Sequence, residues 1–170
     1  YGSPVPEALV ESALYHASLL EKFDFDDIVI SIKSSNVENT VKAYSLASEK
    51  CNYPLHVGVT EAGTSRMGIV KSSIGIGSLL LKGIGDTIRV SLTDSPVKEV
   101  AAGYDILKAV GLKKDAVQIV SCPTCGRTKI DLISLANEVE SALASCTKPI
   151  KVAVMGCVVN GPGEAREADI

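Results

Sequence analysis

The stretch PLHVGVTE, Pro54 to Glu61, predicts a short strand that leads directly into a hydroxyl and a carboxylate. The stretch before it, DDIVISIK (26–33), predicts another strand, because it is short, β-branched and almost continuously apolar, as a buried parallel strand should be. The stretch after it, DTIRVSLT (86–93), predicts a third. Helical patterns separate these strands, and this alternation indicates βαβ units with parallel pairing.

Polar residues at the strand ends recur at a constant interval. Lys33, Glu61 and Arg89 each fall at or near the carboxyl end of a predicted strand, and both separations are 28 residues (61 − 33 and 89 − 61). A repeated β/α unit of about 30 residues is the building block of a (β/α)₈ barrel. Three units cannot close a barrel, which needs about 250 residues. We therefore expect a piece of a longer protein that holds three β/α units of a barrel.

The other predicted elements complete the alternation and divide the chain. Helices with apolar residues at helical spacing are predicted to begin at or near Pro6, Val37, Met67 and Ser95. Beyond Gly111 the pattern changes to a second strand–helix–strand unit, formed by AVQIVS, IDLISLANEVESALAS and KVAVM. The predicted fold class is α/β, with a partial (β/α)₈ barrel over residues 1–112 and a βαβ domain over residues 113–170.

Composition excludes several classes of function. The chain has 170 residues, of which 46% are hydrophobic and 22% charged, and its net charge is −3. A general nucleic-acid binder needs a basic face, so this charge argues against one. No apolar stretch is long enough for a membrane span, and no signal peptide is recognisable. The five cysteines are therefore expected to be reduced thiols or metal ligands in a cytoplasmic protein.

The strand ends predict an anion site. Apolar and polar residues alternate over 88–93, so one face of this strand carries Arg89 and Ser91. Lys33 and the pair Thr60-Glu61 lie at the matching depth of their own strands. Two cations and a hydroxyl that converge on a barrel mouth favour a phosphate or diphosphate. The alternative is a set of solvated strand ends or a structural ion pair.

The cysteines and one glutamate predict a metal centre. Cys122 and Cys125 form a C-x-x-C directly after a predicted strand, and Cys157 follows the next strand of the same βαβ unit. Adjacent parallel strands lie about 5 Å apart, so the three thiols are expected to meet. The turn at 160–163 brings back Glu164 as the fourth ligand.

Residue types alone leave the nature of this centre open. Three thiolates and a carboxylate could hold zinc in a structural or binding module, or a [4Fe–4S] cluster with one oxygen ligand. Cys122 and Cys125 could instead act as a redox dithiol. The other candidate side chains have no partner at metal spacing and are expected to have core or surface roles. These are Cys51, Cys146, His16 and His56.

Long motifs in both parts of the chain point to one family. SCPTCGRT and VMGCVVNGPGEAREADI, with the upstream motifs SIKSSNV, GVTEAG and GIGDTIRVSLT, resemble the 4-hydroxy-3-methylbut-2-enyl diphosphate synthases. The resemblance covers the whole chain. It implies a (β/α)₈ barrel, of which this chain holds the last three β/α units, followed by a smaller domain, of the type found in sulfite and nitrite reductases, that holds a [4Fe–4S] cluster.

The resemblance also assigns roles to residues. It implies that the cluster ligands are Cys122, Cys125, Cys157 and Glu164. It implies that the substrate diphosphate is held by Lys33, Arg89 and Ser91, while Thr60 and Glu61 lie by the substrate hydroxyls. Asn160 belongs to the loop of the glutamate ligand and is assigned to substrate binding. Glu61 and Glu164 are the implied catalytic residues.

The implied reaction belongs to the methylerythritol phosphate route of isoprenoid biosynthesis. It is the reductive ring opening and dehydroxylation of 2-C-methyl-D-erythritol 2,4-cyclodiphosphate, with electrons from ferredoxin or flavodoxin. The family works as a homodimer. The first barrel strands of the family and the end of its cluster domain are missing from this sequence. We therefore expect the 170-residue chain alone to be inactive, and either to self-associate through an exposed sheet edge or to pack differently, with its cluster site empty or partly occupied.

Overall fold

Two units, Tyr1–Val110 and Gly111–Ile170, make up the chain in the computed structural model, which describes residues 1–170. We call them the N-terminal unit and the C-terminal unit. Each has its own apolar core. No helix in the structure combines the length and the apolar character needed to span a membrane.

The N-terminal unit alternates helices with short parallel strands. Its elements are α1 (Pro6–Glu21), α2 (Val37–Lys50), β1 (His56–Val57), α3 (Ser65–Leu80), β2 (Thr87–Ile88) and α4 (Pro96–Ala109). Proline in the first turn starts α1 and α4, because its fixed φ suits a helix and its missing N–H has no intrahelical partner there. Asn36 caps α2 by accepting a hydrogen bond of 2.8 Å from the Asn39 N–H.

The strands of this unit form one edge-to-edge parallel array. β1 pairs with β2, with His56 opposite Thr87 and Val57 opposite Ile88. A single parallel bridge between Ile30 and Leu55 adds the segment 28–33 on the other side of β1. The array has the β/α order of a TIM barrel, and it does not close.

Regular strand structure is shorter than the sequence predicts. The predicted strand 26–33 contributes one bridge, and the predicted strand 54–61 is reduced to His56 and Val57. The physical reason lies in α2, because the Tyr44 hydroxyl stands between the two strands and contacts both Ile32 and His56. Direct pairing is interrupted there, and it resumes where the Thr60 N–H donates to the Ser34 carbonyl.

The apolar face of the array packs on the helices. Val57 and Val59 are fully buried on this face, as are Ile76 and Leu79 on α3. The alternation predicted for 88–93 is present at Val90, which is 5% exposed and belongs to the same core. Burial of one face leaves the alternate residues, which are polar, on the other face.

The C-terminal unit is a smaller βαβ arrangement. It contains β3 (Gln118–Ser121), α5 (Leu132–Leu143), β4 (Lys151–Val154) and the single turn α6 (Gly161–Glu164). β3 and β4 are parallel and in register from Gln118–Lys151 to Ser121–Val154. The core under them contains Leu132, Val152 and Val154.

Gly58 is expected to be essential to the strand array. A Cβ at this position would lie 2.5 Å from the carbonyl oxygen of Arg89, which is backbone and cannot rotate away. We predict that Gly58→Ala lowers the free energy of unfolding by about 1–3 kcal/mol, the usual cost of forced backbone shifts. Urea unfolding followed by circular dichroism would measure it.

Gly77→Ala is the matched control. Gly77 lies inside α3, and an added Cβ would meet Val110 at 3.8 Å, an ordinary contact. This variant should be neutral or stabilised by up to about 1 kcal/mol, the difference in helix propensity. Equal unfolding free energies for the two variants would show that the close approach at Gly58 does not constrain the fold.

Candidate functional site

Arg89 is the centre of the polar strand-end cluster in the N-terminal unit. Its Nη2 donates a hydrogen bond of 3.1 Å to Thr60 Oγ1 on the neighbouring strand segment. Its Nε is buried and has no hydrogen-bond partner, and the side chain forms no salt bridge. A buried cationic donor without a partner is unfavourable, so this group is poised to bind an anion.

Two further basic groups, Lys33 and His56, lie close enough to Arg89 for its charge to help lower their pKa values. Desolvation lowers the pKa of Lys33, and repulsion from Arg89 lowers it further. Desolvation likewise lowers the pKa of His56, followed by repulsion from Arg89 and Lys33. Like charges close together are unfavourable unless a counter-charge binds between them. The structure thus brings together Lys33, Thr60 and Arg89, three of the residues predicted from the strand ends.

Glu61 and Ser91 also lie at this end of the array. Ser91 is half-buried, two residues beyond Arg89 on the same strand segment. Glu61 is exposed and has φ of 51°, a left-handed conformation that costs of order 1 kcal/mol in a non-glycine residue. The loop after it is fixed by the buried Ala62 and by a hydrogen bond of 2.9 Å from the Thr93 N–H to the Gly63 carbonyl.

His56 was given a core or surface role from the sequence, and the structure adds it to this cluster. Its Nδ1 lies 2.7 Å from Thr87 Oγ1, on the strand that also carries Arg89. The sequence did contain a signal that His56 lies beside Thr60, because side chains alternate along a strand and residues 56, 58 and 60 share one face. A single histidine inside an apolar run, however, did not indicate that this face carries a functional site.

In the C-terminal unit, Cys122 follows β3 and Cys157 follows β4, and these two strands are paired. The Cys122 N–H donates to the Val154 carbonyl at 3.3 Å. The Gly156 N–H donates to Cys122 Sγ at 3.3 Å. Gly156 is closely packed, because an added Cβ would lie 2.9 Å from Thr128 Cγ2. The end of β4 is therefore held against the loop that carries the C-x-x-C.

Backbone N–H groups also act on the other two thiols. A hydrogen bond from the Arg127 N–H is the main cause of the lowered pKa of Cys125. Hydrogen bonds from the Asn160 and Val159 N–H groups are the main causes of the lowered pKa of Cys157. The Arg127 guanidinium lowers both pKa values, whereas the charge of Cys125 acts against ionisation of Cys157. Each thiolate is thus stabilised by amide donors, which suits anionic sulfur ligands of a metal or cluster.

The structure does not arrange the three thiols, or the thiols with Glu164, as a metal site. No group of three or more His, Cys, Asp and Glu side chains across residues 1–170 is arranged to hold a metal ion. Glu164 ends α6, and Asn160 precedes that turn without a side-chain capping bond. The donor set still fits a thiophilic centre, because three thiols that accept hydrogen bonds from backbone amides are present in this unit.

The charge cluster predicts a pH effect on His56. Because its pKa is lowered on folding, the neutral imidazole contributes stability above the unfolded value of about 6.5, and this is lost as the pH falls through that value towards the folded pKa. NMR titration should give a His56 midpoint below that of the urea-unfolded chain. Arg89→Ala should raise this midpoint. A midpoint unchanged by that substitution would contradict the clustering of these charges.

Comparison with known proteins places both units in one family. A family model described as the GcpE TIM-barrel domain matches residues 1–104, and one described as the GcpE protein C-terminal domain matches residues 118–170. The chain therefore contains sequence typical of both domains.

Curated relatives match over the whole chain. The 4-hydroxy-3-methylbut-2-en-1-yl diphosphate synthase (flavodoxin) of Clostridium perfringens is 66% identical over 170 residues, which are 100% of this chain and 49% of that protein. The synthase of the same name from Caldanaerobacter subterraneus subsp. tengcongensis is 65% identical over 170 residues, 100% of this chain and 48% of that protein. The chain spans about half the length of these relatives. Because the TIM-barrel model alone covers more than half of its residues, the chain belongs to the GcpE family, and the resemblance seen in its motifs is confirmed.

Proposed function

We propose that the chain is part of an iron–sulfur oxidoreductase of isoprenoid biosynthesis. The reaction is the reductive ring opening and dehydroxylation of 2-C-methyl-D-erythritol 2,4-cyclodiphosphate to 4-hydroxy-3-methylbut-2-enyl diphosphate. The observation that carries this proposal is the partly buried Arg89 guanidinium, which has an unpaired N–H and lies among other basic groups. Relatives that share the whole chain are named for the synthesis of this diphosphate.

The diphosphate is bound by the strand-end cations. Arg89 can give it a charge-assisted hydrogen bond from its unpaired Nε, and Lys33 adds a second positive charge. Binding relieves the repulsion that lowers the pKa of Lys33, so part of the binding free energy comes from the cations themselves. Ser91 supplies a hydroxyl donor at the same strand end.

The substrate hydroxyls lie by Thr60 and Glu61. Thr60 Oγ1 accepts a hydrogen bond from Arg89, so its own O–H is directed elsewhere and can be donated to substrate. Glu61 is an exposed carboxylate on a backbone held in a left-handed conformation. A carboxylate there can accept a hydroxyl proton or hold the ring in one orientation.

The C-terminal domain, 113–170, is of the type found in sulfite and nitrite reductases and would hold a [4Fe–4S] cluster through Cys122, Cys125, Cys157 and Glu164. Such a cluster would supply low-potential electrons and a Lewis-acidic iron, and Glu164 would be its one oxygen ligand, a weaker ligand than a fourth thiolate. The amide donors at the sulfurs stabilise the thiolates in the ligated state. Asn160 lies in the same loop as Glu164 and is assigned to the substrate.

Electrons come from a small carrier protein. The names of the relatives specify flavodoxin, which we propose as the donor here, with ferredoxin as the other carrier of the family. We further propose a cytoplasmic enzyme that works as a homodimer.

Arg89→Ala tests the substrate assignment. We expect it to weaken binding of the cyclic diphosphate by about 1.5–3 kcal/mol, the range for a lost hydrogen bond to a charged group. Iron content should be unchanged, because Arg89 belongs to the N-terminal unit. Calorimetry and iron analysis of the whole enzyme would measure both, with the exposed Arg66→Ala on α3 as control. Loss of iron together with affinity, or equal affinities in the two variants, would contradict the assignment.

Glu164→Cys tests the displaceable ligand. A fourth thiolate should still hold the cluster but should not yield to substrate, so we expect retained visible absorption and abolished turnover in the whole enzyme. Glu167→Cys, at an exposed residue whose carboxylate lies 3.5 Å from Lys151 Nζ, is the control. Near-normal turnover of the Glu164→Cys variant would rule out the role of Glu164 as a displaceable ligand.

A further inference from the structure

The Tyr44 hydroxyl occupies an unusual place in the sheet. Tyr44 lies on α2, is fully buried and sends its side chain into the strand array. The Ile32 N–H donates to Tyr44 Oη at 2.9 Å, and Tyr44 Oη lies 2.6 Å from the His56 carbonyl oxygen. Ile32 directly precedes Lys33 in the sequence.

The surrounding hydrogen bonds show what the hydroxyl replaces. The Ile30 N–H donates to the Pro54 carbonyl and the His56 N–H to the Ile30 carbonyl, as in a parallel ladder. The next rung in that register would join the Ile32 N–H to the His56 carbonyl. Tyr44 instead accepts from the first group and donates to the second, so its hydroxyl is inserted into the rung.

The ladder resumes in the same register after the insertion. The Thr60 N–H donates to the Ser34 carbonyl at 3.0 Å, where an uninterrupted ladder would place that bond. Lys33 therefore lies between the inserted rung and the resumed rung. The strand that carries Lys33 is thus separated from the neighbouring strand before Lys33, at Ile32, and pairs with it again after Lys33, at Ser34.

A second hydroxyl from α2 fixes the far side of Lys33. Thr40 is 1% exposed, and its Oγ1 donates to the Asn36 carbonyl at 2.8 Å and lies 3.3 Å from the Ser34 carbonyl oxygen. The helix thus contacts backbone groups before and after Lys33 through two buried side chains. Burial also raises the pKa of Tyr44, so its hydroxyl keeps the proton that it donates towards the His56 carbonyl at 2.6 Å or the Ile32 carbonyl at 3.0 Å.

We propose that Tyr44 is a positioning residue for the anion site, whose inserted hydroxyl sets the separation between Lys33 on one strand and Thr60 with Arg89 on the others. The inference rests on the proposed function for the identity of the anion. A direct rung would draw the Lys33 strand towards β1, and so towards Arg89 on the segment beyond β1, whose charge already repels the Lys33 ammonium. The inserted oxygen keeps Lys33 and Arg89 far enough apart for one anion to bind between them.

Tyr44→Phe tests this inference, with Tyr53→Phe as the matched control. The Tyr44 variant keeps the ring that fills the core but leaves the Ile32 N–H and the His56 carbonyl without their inserted partner. The Tyr53 hydroxyl donates to the Glu21 carboxylate, which is not a residue of the anion site. For the 170-residue chain we expect inorganic pyrophosphate to bind roughly three- to tenfold more weakly to the Tyr44 variant, the equivalent of one neutral hydrogen bond. Tyr53→Phe should bind as the unsubstituted chain does.

Amide hydrogen exchange provides a readout that needs no ligand. The Ile32 amide should be protected in the unsubstituted chain and should exchange faster in Tyr44→Phe than in Tyr53→Phe, together with the Thr60 amide on the resumed rung. Faster exchange with weaker pyrophosphate binding supports the inference. Equal affinities in the two folded variants, or an unprotected Ile32 amide before any substitution, would overturn it.

The two proposals fail in different ways. An unsubstituted chain that binds no pyrophosphate while its Ile32 amide is protected would count against the anion site itself. An unsubstituted chain that binds pyrophosphate, with Tyr44→Phe binding equally well, would count against Tyr44 alone.

Discussion

Parallel pairing of neighbouring strands is the constraint on which both candidate sites depend. Parallel strands end at the same edge, so residues that are far apart in sequence are brought together there. In the N-terminal unit this pairing brings Arg89 to Thr60. In the C-terminal unit it brings Cys122 to the loop after β4, where Gly156 donates to its sulfur. Each site is then completed by residues that follow a strand.

The anion site carries local costs that the core beneath it offsets. The Arg89 Nε is buried without a partner, and Glu61 adopts a left-handed backbone conformation. Strain and unpaired groups of this kind persist only where well-packed surroundings hold them in place. Here the opposite strand face is closed by buried residues such as Val57 and Val59. One face of each strand thus supplies stability, and the other supplies charge.

Sequence patterns predicted the helices and the polar strand ends, because proline starts and the 28-residue interval are local signals. They overestimated the strands, since the interruption between Ile32 and His56 depends on a hydroxyl from α2 that no local pattern reveals. They also missed His56, whose neighbours Lys33 and Arg89 are defined only by strand register. The ligand role of Glu164 remains a prediction, because its loop position follows from no strand pairing.

The most direct test of this account is anaerobic reconstitution of the whole enzyme with iron and sulfide, followed by metal analysis and a visible spectrum. The account predicts bound iron and sulfide in equal amounts and a broad visible absorption, both lost in Cys157→Ser and retained in Cys146→Ser, since Cys146 lies outside the proposed ligand set. A colourless protein that binds zinc in preference to iron would contradict it.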